Sequence, residues 1–178
     1  MTYKTHLIGG VLFANILLPK ICEATQVYDV SSALLVGGLV YGGMSIGSIA
    51  PDIDKQGSKI GNKFKLSSLV IEYACGHRYL FHSPFLLGIL TVVVLPLFLN
   101  IYGYLLALGF LVGYLSHLVL DFFNGLGIPL FYPLSKKRYH IATIRTRSIG
   151  EVLFAFTLLV GTVYYTYSYT IPQILDLI

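Results

Sequence analysis

Five histidines and a handful of aspartates are the residues of this chain best suited to chemistry. His117 and Asp121 form an H-x-x-x-D pair. On a helix, positions i and i+4 share a face with Cβ atoms roughly 6 Å apart, close enough to hold one metal ion between them. The structural alternative is a hydrogen-bonded His–Asp pair at a helix end. Asp52-Ile53-Asp54 follows Ala50-Pro51. In extended chain two such carboxylates point to opposite sides, so only one is expected to reach a metal. Asp52 is the expected ligand, and Asp54 the expected partner that orients a histidine. His77-Arg78-Tyr79-Leu80-Phe81-His82-Ser83 is the third element. Its two histidines do not share a helical face, so different roles are expected and either one could be the ligand. Arg78 has a planar fork that suits a phosphate oxygen, and anchoring at lipid headgroups is its alternative. His6 stands alone near the start. His140, beside Lys136, Lys137 and Arg138, belongs to a lipid-facing basic patch, and those three cations are candidates for a substrate phosphate.

Several chemistries have no residues to support them. No H-E-x-x-H is present, against an ordinary zincin. No G-x-S-x-G or P-loop appears. Ser116 adjoins His117, but adjacent helical residues point apart, so no Ser–His dyad is expected. Cys22 and Cys75 fit neither a metal-ligand spacing nor a disulfide framework.

The elements that must position these residues are membrane helices. The chain has 178 residues, 56% hydrophobic and 11% charged. A soluble domain carries roughly 25% charged residues, so an ordinary soluble enzyme and a disordered chain are both excluded. The fold class expected is all-α: a polytopic membrane helical bundle, one membrane-embedded domain over residues 1–178. Apolar blocks at 30–50, 84–101, 103–123 and 149–169 read as spans. A fifth, 7–18, is only about 18 Å long at the helical rise and reads as a short, tilted or re-entrant helix. A signal peptide is its weaker reading, because no small-residue cleavage site follows and Pro19-Lys20 interrupts its end. Gly37, Gly38, Gly42, Gly43 and Gly47 suggest close helix packing.

Loop charge sets the orientation. Residues 51–83 carry Lys55, Lys59, Lys63, Lys65 and Arg78, and residues 124–148 carry Lys136, Lys137, Arg138, Arg145 and Arg147. The positive-inside rule places both loops in the cytoplasm and the C-terminus outside. A formal charge of +4 is thereby read as loop and lipid charge, with no direct nucleic-acid binding expected. His6, Asp52, Asp54, His77, His82, His117 and Asp121 then fall on the cytoplasmic face. Ionisable groups near a membrane interior are rare and functional by default.

Taken together, Thr5-His6, Pro51-Asp52-Ile53-Asp54, His77-Arg78 through His82-Ser83, and Gly113-Tyr114-Leu115-Ser116-His117 through Asp121 resemble a known family. Gly127-Ile128-Pro129-Leu130-Phe131-Tyr132-Pro133 matches too. The family is the YdjM-like inner-membrane metal-dependent hydrolases, described as LexA-regulated or LexA-binding. It looks distantly similar to the zinc-dependent phospholipase C and S1/P1 nuclease group. The resemblance implies a site of Asp52, His82 (or His77), His117 and Asp121, with His6 reaching a second metal that Asp121 bridges. The soluble enzymes carry a further His…His-x-x-x-Glu set. Here Ile144 stands where Glu would follow His140, so one or two metals are expected rather than three.

Mixed nitrogen and oxygen ligands suit Zn²⁺, with Mn²⁺ or Fe²⁺ as alternatives. The expected function is hydrolysis of a phosphodiester or phospholipid bond, with Asp52, His117 and Asp121 as the catalytic set and membrane lipid as partner. A LexA contact is implied by the resemblance alone. A non-catalytic metal site and a metal-ion transporter are the other readings, the transporter weakened by few ionisable residues inside the spans.

Overall fold

The computed structural model describes residues 1–75, 78–98 and 100–178. The bundle is built from α1 (Tyr3–Ala24), α2 (Val30–Gly47), a 3₁₀ turn (Ala50–Asp54), α3 (Lys59–Lys63), α4 (Lys65–Cys75) and α5 (Pro84–Leu97). It continues with α6 (Ile101–Phe122), α7 (Ile149–Tyr165), a π-turn (Thr166–Thr170) and α8 (Ile171–Leu175). Among the described residues there is no strand, only two isolated bridges, Asn124 with Ile144 and Ile128 with Tyr139. In a bilayer every backbone polar group needs a partner within the chain, and helices supply it.

Four helical stretches are long and apolar enough to cross: Tyr3–Ala24, Val30–Asp54, Ile101–Phe122 and Ile149–Leu175. Two of the expected segments change character. The first is a full 22-residue helix rather than a short or re-entrant one, with Pro19 inside it. Proline lacks the N–H that would bond the carbonyl four residues back. Thr170 donates its hydroxyl to that Asn15 carbonyl at 3.1 Å instead. The Asn15 side chain is also satisfied, donating to Thr166 and accepting from Tyr41. Conversely, within the expected 84–101 segment the helix covers only Pro84–Leu97. α5 has 14 residues, about 21 Å at the helical rise, short of the roughly 30 Å of hydrocarbon. It starts inside the bundle end, where the Tyr114 hydroxyl of α6 donates to the Phe81 carbonyl.

α2 and α6 form the tightest seam. A Cβ on Gly43 or Gly47 would overlap the carbonyl oxygens of Leu106 or Phe110. A Cβ on Gly109 or Gly113 would overlap those of Val40 or Met44. The Gly-x-x-x-Gly pair of each helix thus lies against the other's backbone, the packing that small residues permit in lipid. Gly38 and the outward Gly42 contribute little, since a Cβ at Gly38 meets nothing within 4 Å. α1 closes on the same seam, its Gly10 against Met44 of α2 and Ser48 just past its end. At the far end Ala14, Leu18, Cys22, Val36, Val40 and Leu105 form the apolar core. The chain direction places the start of α1, the ends of α2 and α6, and both basic loops at one end of the bundle.

Candidate metal centre

At that end, side chains from four elements meet. His117 lies on the last turns of α6, one face up from Asp121, and both are fully buried. The His117 Nδ1 sits 2.7 Å from the Ser48 carbonyl oxygen. A carbonyl only accepts, so Nδ1 carries the proton and Nε2 turns a lone pair toward the centre. Close packing at Gly47 and Gly113 makes this contact reachable.

Residues 78–83 bring in the second imidazole. His82 is fully buried, with Nδ1 3.1 Å from Asp54 Oδ2. The same oxygen accepts the Arg78 backbone N–H at 2.8 Å. His82 Nε2 then lies 3.3 Å from His117 Nε2, 3.4 Å from Asp121 Oδ2 and 3.7 Å from Asp52 Oδ1. Asp52 and Asp54 lie on a 3₁₀ turn rather than in the extended chain expected from the sequence. They face different partners: Asp52 the centre, Asp54 the His82 ring.

His6 completes the set from α1. Its ring stacks on that of His117 with centroids 3.7 Å apart, and Nε2 lies 3.5 Å from Asp121 Oδ1. The ring is 1% exposed, yet neither nitrogen has a hydrogen-bond partner among the described residues. Buried polar atoms are nearly always paired, so an imidazole buried without a hydrogen bond is a candidate for coordination. Two overlapping ligand triads result: His6, Asp52 and His117; and His82, His117 and Asp121. Within each, the donor atoms lie no more than 4.8 Å apart.

Electrostatics agree with the geometry. Two imidazole Nε2 atoms and the Asp52 and Asp121 oxygens crowd one point, an arrangement that repels itself unless positive charge sits among them. Burial disfavours a charged His82, but the contacts with Asp52 and Asp54 outweigh it and raise its pKa to about 8. Arg78 supplies part of the balance. It is buried, with Nη1 2.7 Å from Asp121 Oδ2, though Oδ2 has no hydrogen bond of good geometry among the described residues. The Met1 amino group lies 2.8 Å from Oδ1. Arg78 therefore faces the cluster, not the headgroups.

The remaining sequence candidates stand apart. His77 lies outside the described residues. Lys136, Lys137 and Arg138 are exposed on the 124–148 loop. Lys136 and Lys137 lie over the rings of Tyr79 and Tyr139, and no contact among the described residues joins any of the three to the cluster. His140 is exposed on the same loop. The Ser116 hydroxyl donates back to the Gly113 carbonyl at 2.7 Å, away from His117's ring nitrogens.

Glu151 has no place among the sequence-derived candidates, yet it fixes one of the histidines. It is 2% exposed and accepts from the Thr2 backbone N–H, the Thr5 hydroxyl (2.9 Å) and the Arg147 backbone N–H (2.6 Å). The first turn of α1, next to His6, is thereby clamped to the start of α7. Ser148-x-x-Glu151 is a legible capping box. Its turn toward another helix is not.

The family described as YdjM inner membrane protein matches residues 1–175. The chain belongs to that family. YvsG of Bacillus subtilis (strain 168), itself described as uncharacterized, is 29% identical over 171 residues, covering 94% of this chain and 95% of YvsG. The inner membrane protein YdjM of Escherichia coli (strain K12) is 29% identical over 143 residues, 75% of this chain and 66% of that protein. No solved structure matches. Family membership and the apolar helices together place this YdjM-family chain in a membrane.

Proposed function

We propose that this YdjM-family chain is a membrane-bound, metal-dependent hydrolase acting on a phosphodiester or phospholipid bond. One observation carries the reading. Two imidazoles, each with Nδ1 fixed by an acceptor, turn Nε2 toward the same two carboxylates, with an orphaned third imidazole beside them. His6, Asp52, His82, His117 and Asp121 would hold one or two divalent ions. Zn²⁺ suits the donors best and Mn²⁺ or Fe²⁺ are the alternatives. A divalent ion held there would supply a Lewis acid for a phosphoryl oxygen and would activate water for hydrolysis.

The chain's own residues do the rest. Asp54 and the Ser48 carbonyl hold two rings in one tautomer. Arg78 is a cation in contact with the centre through Asp121 and can offset charge that grows on a phosphoryl oxygen. Asp52 is the one carboxylate of the centre with measurable exposure, 15% at its side chain, so substrate approaches past it. The Lys136, Lys137 and Arg138 loop adds attraction at longer range. Metal-loaded protein should release headgroup or phosphate from a panel of phospholipids and phosphodiesters, and Asp52→Ala should abolish this while the protein stays folded in detergent. Inert wild-type protein across such a panel would favour a structural metal site. The near-complete burial of the centre is the observation on that side.

By the positive-inside rule the site faces the cytoplasm. A cysteine replacing Lys63 should label only after the cells are opened. Labelling from outside would reverse the orientation.

A further inference from the structure

α4 has two faces of opposite character. Ser68 is fully buried and Glu72 half-buried, on the side that packs against the 3₁₀ turn and α3. The Glu72 carboxylate accepts the Gln56 backbone N–H at 3.1 Å. Leu66, Leu69, Val70 and Tyr73 point the other way, at the i, i+3, i+4, i+7 spacing of one helical stripe. All four are exposed, Tyr73 to 94%. Phe64, just before the helix, is exposed as well.

Three features identify what covers this stripe. First, α4 joins the end of one spanning helix to the start of α5 and packs on the bundle end, so it lies at the level of the membrane surface. Second, Lys55, Lys63 and Lys65 are exposed around it, matching an anionic headgroup layer. Third, the outer faces of α5 and α7 expose Val92, Val93, Val152, Leu153 and Phe156, which in a membrane protein are surfaces for lipid. The α4 stripe belongs to the same kind of surface.

We propose that α4 lies in the membrane interface, with the Leu66, Leu69, Val70 and Tyr73 stripe inserted between headgroups and acyl chains of an anionic leaflet. Interfacial helices combine such an apolar stripe with flanking lysines. Because α4 packs on the turn carrying Asp52 and Asp54, it holds that turn at headgroup depth. The proposal stands whether or not the neighbouring cluster binds metal.

The chain contains no tryptophan, so Tyr73→Trp gives a single reporter at a site where the larger ring meets no packing. The full chain would be reconstituted into vesicles of phosphatidylcholine and phosphatidylglycerol, with matched vesicles carrying bromine high on the acyl chains. We expect blue-shifted emission, at least roughly twofold quenching by bromolipid, and little quenching by aqueous iodide, as for an aromatic side chain seated in the interface. Adding Leu69→Glu and Val70→Glu should cancel the bromolipid quenching while the protein remains in the vesicles. Emission quenched by iodide and not by bromolipid would overturn the proposal. So would emission insensitive to both quenchers and dependent on protein density, which would mean that another protein copy covers the stripe.

Discussion

Replacing His117 by alanine should strip the purified protein of its metal, to roughly a tenth or less of the wild-type content, because the residue belongs to both ligand triads. Two further substitutions grade the expectation. Asp54→Ala removes no ligand of the centre but frees the His82 ring, and loss of such an orienting group weakens metal affinity about 10- to 100-fold. Ser116→Ala, one residue from His117 but bonded to the Gly113 carbonyl, should leave metal content unchanged. Elemental analysis of detergent-purified protein, with size-exclusion profiles to confirm folding, reads all three. Metal-free wild type, or His117→Ala retaining the wild-type content, would dispose of the metal centre.

Gly113→Val should destabilise the protein and loosen the metal centre together. A Cβ there would sit 2.8 Å from the Ser48 backbone nitrogen and closer still to the Met44 carbonyl oxygen. Backbone atoms cannot turn aside as a side chain can, so the helices must separate. Overpacking of this kind costs about 3 kcal/mol, and the same separation pulls the Ser48 carbonyl away from His117. Thermal midpoint in detergent and metal content should therefore fall together. Gly38→Ala is the counterpart, on a helix position where a Cβ meets nothing within 4 Å. It should be neutral or stabilise by up to about 1 kcal/mol, the helix penalty of glycine relative to alanine. Equal tolerance of both substitutions would mean that α2 and α6 do not pack as described.

How much of this was legible in the chain can be judged residue by residue. Long apolar blocks with few charges require helices, because a bilayer offers no hydrogen-bond partners to an unpaired backbone. Gly43 and Gly47 announce close packing. The H-x-x-x-D pair already implies one helical face, since its spacing is local. Charge in two loops separates the polar end of the bundle from the other.

What the tertiary structure decided concerns depth, partner and direction, which depend on contacts far apart in sequence. Pro19 made the first segment look short, and only the Thr170 hydroxyl, 155 residues away from Asn15, explains how a full helix tolerates it. The opening of α5 inside the bundle end brings His82 level with His117. From the sequence Arg78 reads as a phosphate binder or a headgroup anchor, and its buried contact with Asp121 turns it toward the cluster instead of the headgroups. Glu151 reads as a helix cap until α1 is packed against it. Composition and spacing fix what each segment is. The crossing of α1, α2 and α6 at their small residues brings the helix ends together, because there the backbones approach closely enough for short side chains to meet.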